Sequence, residues 1–184
     1  MKRCEWAERE SMIEYHDKEW GVPVYDDKLQ FEFLILEGAQ AGLSWETVLK
    51  KRENYRKAFS NFDPIKISKY TKKDVERLIK NEGIIRNRLK IEAVITNAKA
   101  FLEVKRKFGT FSKYIWNFVG GNPITNKRKS IKDIPATSKE SDELSKALKK
   151  RGFKFVGSTI IYAHMQATGM VNDHEVDCFR YKEV

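Results

Sequence analysis

The sequence predicts an all-α chain. Apolar residues recur at helical spacing through successive segments, and Ser, Thr or Asp stands where those segments begin. Strand signals are sparse, and proline occupies only four of 184 positions, so helices are rarely interrupted. A first amphipathic segment covers about 11–20 and is closed by Gly21-Val22-Pro23. Asp26 or Asp27 caps the next helix, which runs to about Ala39. Its middle, Phe31-Glu32-Phe33-Leu34-Ile35-Leu36, is apolar almost all round, which places this helix at the centre of the molecule. Gly42 breaks it, and Ser44 caps a helix to about Phe59 with charges on its outer face.

Asp63-Pro64 opens a short helix. Thr71-Lys72-Lys73-Asp74 resembles a capping box with Asp in place of Glu, and opens a helix ending near Lys80. The turn Asn81-Glu82-Gly83 leads to a long helix over about 87–107, whose apolar positions include Ile91, Val94, Ala98 and Leu102. A helix over 111–119, a Gly120-Gly121-Asn122-Pro123 loop and an irregular stretch at 124–137 follow. Ser141 is expected to cap a helix ending at Gly152, and the last long helix, about 158–168, is stopped by Gly169. A chain of 184 residues is expected to form a single unit, which two helical lobes would divide.

Composition narrows the function. Thirty-six Lys and Arg against 26 Asp and Glu give a net charge of +10 and a pI of about 9.5, so a polyanion such as nucleic acid is the favoured partner. With 41% hydrophobic and 12% aromatic residues the chain is not a disordered one. No run of 18 apolar residues exists, and MKRCEWAERE lacks the apolar core of a signal peptide, so no membrane partner and a cytoplasmic location are expected.

Three constellations carry chemistry. Cys4 and His16 lie near the N-terminus, and His174 and Cys178 near the C-terminus, the makings of a tetrahedral Cys₂His₂ zinc shell. A helical turn would put His174 and Cys178, four residues apart, on one face. Four protein ligands leave no open position, so such a site is structural; otherwise these are two buried thiols and two ordinary histidines. Second, 78–86 joins two helices through Gly83. The amides opening the following helix, with Arg86, Arg88 and Lys90, suit a DNA phosphate as well as they suit a solvated hairpin. Third, Glu37 closes the buried helical run, with Trp45 eight residues on and Trp6, Tyr15 and Trp20 crowding the N-terminal segment. A buried carboxylate needs a partner or a purpose, and aromatic rings around one suit a flat cationic ligand, although each ring alone is core material.

These constellations, in this order, resemble the type I 3-methyladenine DNA glycosylase family of helix-hairpin-helix enzymes. The matching stretches include Tyr15-His16-Asp17-x-Glu19-Trp20-Gly21-Val22-Pro23, Leu36-Glu37-Gly38 through Gly42-Leu43-Ser44-Trp45, and Gly83-Ile84-Ile85-Arg86-Asn87-Arg88. Lys149-Lys150-Arg151-Gly152-Phe153-Lys154-Phe155-Val156-Gly157 and Gly169-Met170-Val171-Asn172-Asp173-His174 continue them, so the likeness covers nearly the whole chain. The resemblance implies a helix-hairpin-helix glycosylase-like, all-α fold in which one zinc ion on Cys4, His16, His174 and Cys178 joins the two chain ends. It also implies a helical lobe over about 25–140 containing the hairpin and a zinc-containing lobe of 1–24 plus 141–184.

The expected activity is hydrolysis of the N-glycosidic bond of 3-methyladenine in double-stranded alkylated DNA by a monomer, leaving an abasic site. Glu37 would recognise the base, Tyr15 and Trp45 would stack on it with Trp6 nearby, and Gly42-Leu43 would fill the gap left by the extruded nucleotide. Gly83 and Arg86 would contact DNA. Met12 stands where the family carries a further tyrosine, which alters one pocket wall. His164 matches no ligand. Val119-Gly120-Gly121-Asn122 lacks the aspartate that many wider relatives use to stabilise a sugar cation, and no Schiff-base lysine motif is present. The competing reading is a non-enzymatic, zinc-stabilised DNA-binding module without a pocket.

Overall fold

The computed structural model describes residues 1–184. Its nine α-helices are α1 (Glu10–Lys18), α2 (Asp27–Gln40), α3 (Trp45–Ala58), α4 (Pro64–Ile67), α5 (Lys72–Ile79), α6 (Arg88–Phe108), α7 (Phe111–Trp116), α8 (Lys139–Lys150) and α9 (Ser158–Ala167). Most begin where a side chain satisfies a free amide. Asp26 accepts from the Leu29 amide at 2.8 Å, Ser44 from Thr47 at 3.2 Å and Asp63 from Ile65 at 2.9 Å, while the Asp74 carboxylate of the Thr71 box reaches back to the Thr71 amide at 2.8 Å.

Helix α2 runs through the middle, packed on α3, α6, α7 and α9. Phe31, Phe33, Leu34, Ile35 and Leu36 are all buried, and Phe31 meets the Phe101 ring of α6 at 4.9 Å between centroids. Glu32 is buried on the same helix because Arg52 and Arg56 of α3 both donate to it, at 2.5 and 2.7 Å. Arg52 also reaches Glu19 at 2.6 Å, just beyond α1. This ion pair network fixes α1, α2 and α3 to one another inside the fold. A smaller apolar cluster gathers Cys4, Met12, Tyr15, Trp20, Phe33, Ala167 and Cys178 around the chain ends.

Three local expectations are corrected. Ser138, not Ser141, caps α8, and Ser141 is the reciprocal member of that box; both serines fit the pattern, and only backbone geometry decides between them. The stretch 124–137 is not wholly irregular. Ile124–Thr125 (β1) pairs in parallel with Val171–Asn172 (β2), an Arg128–Glu175 bridge extends the pairing, and Ile131–Asp133 forms a turn of 3-10 helix. Such a two-residue ladder is too short to leave an alternating pattern. His174 and Cys178 lie on no helix: the chain there is extended and then turns, because 171–176 is drawn along the 124–128 segment.

A strap, Gly21-Val22-Pro23, crosses the end of α9. The Gly21 amide donates to Gln166 O at 3.1 Å and the Val24 amide to Thr168 O at 3.0 Å. Gly169 has φ +68°, and a Cβ there would lie 2.4 Å from the Pro23 nitrogen, so both conformation and space demand glycine. No helix is long and apolar enough to cross a membrane.

Candidate active site

A cleft of about 710 Å³ opens between α1, α2, the start of α3, α9 and the 131–134 turn. Glu37 comes to it from the last turn of α2, where the apolar run has carried it to 4% exposure. No protein group donates to its carboxyl, and burial alone pushes its pKa up to about 8. Tyr15, Trp6, Trp20, Trp45 and Met12 line the same cleft. The Tyr15 and Trp45 rings lie 5.4 Å apart between centroids at 46°, and Trp6 meets Tyr15 at 6.3 Å and Trp20 at 4.9 Å. The sequence-predicted acid, the two predicted stacking residues Tyr15 and Trp45, and Trp6 are therefore brought together, and Met12 does occupy the wall. Burial, with the nearby Glu37 adding to it, holds the Tyr15 phenol well above its usual range. A site of this shape can take a flat ring between aromatic faces with an acid at its edge.

Sequence reasoning missed part of the lining. Gln40, Ile131, Ile134, Ala163 and Gln166 also face the cleft. Gln40 lay inside a quoted motif, and Ile131 was an apolar residue in a charged stretch, 40% exposed in the structure. Gln166 had no sequence signal beyond its place on α9. His164, two residues before Gln166 on α9, is buried without a ring partner, and burial lowers its pKa to about 3, so it stays neutral.

Beside the cleft, the segment after α2 turns at Gly42, φ +77°, and presents Leu43 at 40% exposure. Lys90 of α6 anchors this turn: its Nζ donates to Ala39 O at 2.8 Å and Ala41 O at 2.6 Å, and burial lowers its pKa. The exposed carbonyl end of α2 is thereby joined to the start of α6. The α5–α6 connection packs on α3. Lys51 donates to Glu82 O at 2.9 Å, and the Ile85 amide donates to the Tyr55 hydroxyl at 3.2 Å. Gly83 is required by space rather than by a positive φ, since a Cβ would stand 3.0 Å from Asn54 Cβ. Arg86 is 54% exposed on its side chain, near Glu82 at 3.5 Å, whereas Arg88 is held by Glu76 at 2.7 Å.

The two chain ends meet. Donor atoms of Cys4, His16 and Cys178 lie within 4.8 Å of one another, all buried. The His16 Nδ1 is 2.8 Å from Asp17, whose carboxylate Arg3 holds from two nitrogens and lowers to about 2, so the His16 Nε2 lone pair is turned toward the thiols. His174 stands against His16, ring centroids 5.2 Å apart, but outside that three-residue cluster. The Asn172 amide nitrogen donates to Tyr181 O and Val184 O, which leaves Asn172 Oδ1 to accept from His174 Nδ1 at 3.0 Å. His174 Nε2 is then a buried acceptor with no partner. Burial lowers both imidazoles, His174 to about 3, and pushes the Cys4 thiol far up. Gly21 leaves room for this ring; a Cβ would fall 2.6 Å from His174 Cε1. Cys4, His16 and Cys178 form a candidate metal site, and the orphaned Nε2 of His174 beside them completes, by type, the two thiols and two imidazoles that a tetrahedral divalent cation would take.

The comparisons with known proteins agree with this geometry. The DNA-3-methyladenine glycosylase 1 of Escherichia coli (strain K12) is 53% identical over 182 residues, covering 98% of this chain and 97% of its own length. The DNA-3-methyladenine glycosylase of Haemophilus influenzae is 51% identical, with 96% of each chain covered. The solved structure of 3-methyladenine DNA glycosylase I from Staphylococcus aureus, described as the basis of its 3-methyladenine recognition, superposes with a TM-score of 0.94 at 37% identity, covering 97% of this chain and 96% of that one. The profile of the methyladenine glycosylase family matches residues 6–181. With its fold and nearly its whole length matched in this way, the chain belongs to the methyladenine glycosylase family.

Proposed function

We propose that this chain is a monofunctional DNA glycosylase that hydrolyses the N-glycosidic bond of 3-methyladenine in double-stranded alkylated DNA and leaves an abasic site. The observation that carries the reading is the buried, unpartnered Glu37 at the edge of a cleft walled by Tyr15, Trp45 and Trp6. The alkylated base is a cation in DNA, and its departure as a neutral base needs little acid help. The protein's work is to select it and hold it. Extrusion from the duplex costs a few kcal/mol, offset by stacking on the rings and by a charge-assisted hydrogen bond to Glu37 as it ionises against the cation. Water then captures the sugar cation, as in glycoside hydrolysis. No lysine lines the cleft, which supports simple hydrolysis over Schiff-base chemistry and strand cleavage.

The same reading assigns Leu43, carried on the Gly42 turn, as the wedge that fills the vacated stack. Gly83 and Arg86 of the hairpin meet the phosphates. Cys4, His16, His174 and Cys178 would hold one zinc ion, which supplies a closed structural shell when bound. That shell would tie 1–24 to the C-terminal lobe of 141–184, against a helical lobe of about 25–140, in one monomeric unit. A cytoplasmic location accords with this function. The test is the set of bases released from methylated duplex DNA. Free 3-methyladenine with intact strands is expected, and Glu37→Gln should bind the free base roughly 10- to 150-fold more weakly. DNA binding without base release would instead support the zinc-stabilised binding module.

A further inference from the structure

Under one wall of the cleft lies a buried polar knot. Asp173, fully buried, accepts at Oδ1 from Asn126 Nδ2 and Arg128 Nε, each at 2.8 Å. At Oδ2 it accepts from the Tyr162 hydroxyl at 2.5 Å and from Gln166 Nε2 at 2.8 Å. Of these four donors only Gln166 lines the cleft. A carboxylate accepts and does not donate, so turning the Gln166 amide over would set two oxygens against each other at that 2.8 Å separation. The nitrogen is committed to Asp173. Oε1 receives no hydrogen bond from any protein group and is not fully buried, so it is free to accept from a molecule in the cleft that Gln166 lines.

We propose that Gln166 is the residue that selects a 6-amino over a 6-oxo purine, with Asp173 as its positioning residue. Oε1 accepts from the exocyclic amine of the extruded base. It opposes the carbonyl oxygen that 3-methylguanine carries at the same position. A free glutamine would serve both bases, since it could turn its amide and donate to the carbonyl. Held by Asp173 it has one face only, and selectivity follows from the lock rather than from the side chain alone. Asn126 and Arg128 hold Asp173 independently of Tyr162, so losing the Tyr162 hydroxyl alone leaves the carboxylate in place under Gln166. The inference rests on the cleft being the base pocket, as argued above.

The experiment measures 3-methyladenine and 3-methylguanine released from methylated duplex DNA by the parent, Gln166→Met, Gln166→Asn and Tyr162→Phe, with a melting curve for each. Met keeps the length without the amide, Asn withdraws the amide by one methylene, and Phe removes a donor from Asp173 without touching Gln166. A fall of about tenfold in the 3-methyladenine to 3-methylguanine ratio for Met or Asn, with the ratio kept by Phe, supports the assignment. An unchanged ratio in whichever Gln166 variant folds overturns it, as does an equal fall in all three, which would make the knot merely structural. A parent that releases neither base overturns the glycosylase reading itself, and the inference with it.

Discussion

Glu37 is held in the protein as an acid whose charged form is unwelcome, and this makes stability depend on pH in a defined direction. Burial raises its pKa from 4.5 to about 8, a difference of about 5 kcal/mol between charging it in the folded chain and in the unfolded one. The folded protein therefore binds the proton more tightly. The associated stability is complete below pH 4.5, declines as pH rises and is gone above pH 8. Glu37→Gln keeps the shape and removes the titration. Relative to the parent it should be unchanged near pH 4.5, more stable by about 3 kcal/mol at pH 7, and more stable by about 5 kcal/mol at pH 9. Urea denaturation of both proteins at these three pH values reads the difference. All other titrating groups, the chain-end cysteines and histidines included, are common to both and cancel. A stability gap that does not change with pH would refute the reasoning, since it would show that Glu37 is solvated or partnered. A gap that opens with pH as expected makes the variant a more stable protein that binds its base less well, as where strain is kept for function.

Freshly purified protein should contain about one zinc ion per chain by elemental analysis. Cys178→Ala should lose that ion and melt at a lower temperature; zinc-free parent protein would remove the assignment. Affinity for duplex DNA should fall steeply with salt, and Arg86→Ala should reduce the salt slope by about 1 across all sequences. Arg88→Ala should change it less, because Glu76 already holds that side chain; fluorescence titration at several salt concentrations distinguishes the two. Lys90→Met should destabilise the fold by about 1–3 kcal/mol through two lost carbonyl contacts. It should also slow single-turnover base release by loosening the Gly42-Leu43 turn. A variant as fast as the parent would show that the anchor has no bearing on extrusion.

Much of this was legible in the chain itself, and the exceptions have physical causes. Helix α2 was plain because five buried apolar residues fall within six positions; its cap was narrowed to Asp26 or Asp27, and backbone geometry makes it Asp26. The four residues at the chain ends could be named as candidate ligands by type, but only the family resemblance favoured them over ordinary buried thiols and histidines. Their arrangement was not legible, because His174 and Cys178 are placed by backbone pairing of 171–176 with a distant segment, and such pairing leaves no periodicity. The aromatic side of the pocket was visible through rare, bulky residues. Its polar side, Gln166 over Asp173, was not: one glutamine on a helix resembles any other until the tertiary structure puts a carboxylate beneath it. The glycine of the 78–86 turn was visible, but the close approach of Asn54 that leaves little room for a side chain there was not, since it is a tertiary contact.

The meeting of Cys4 with Cys178 bears on how the protein is made. At about 5–20 residues per second, synthesis of the chain takes on the order of 10–40 s. Helix α2 and its neighbours emerge early enough to begin packing, and α1 can join them through Tyr15 on Trp45 and Glu19 on Arg52, but the first residues, up to Glu5, lack their partners until 175–179 leave the ribosome. The Glu5 amide, for instance, is held by Glu175, and Lys2 O by the Phe179 amide. A nascent or prematurely terminated chain could thus form the hairpin and still lack one wall of the cleft. Emergence of 175–179 becomes a condition for seating the Trp6 side of the cleft, well after the hairpin has been made.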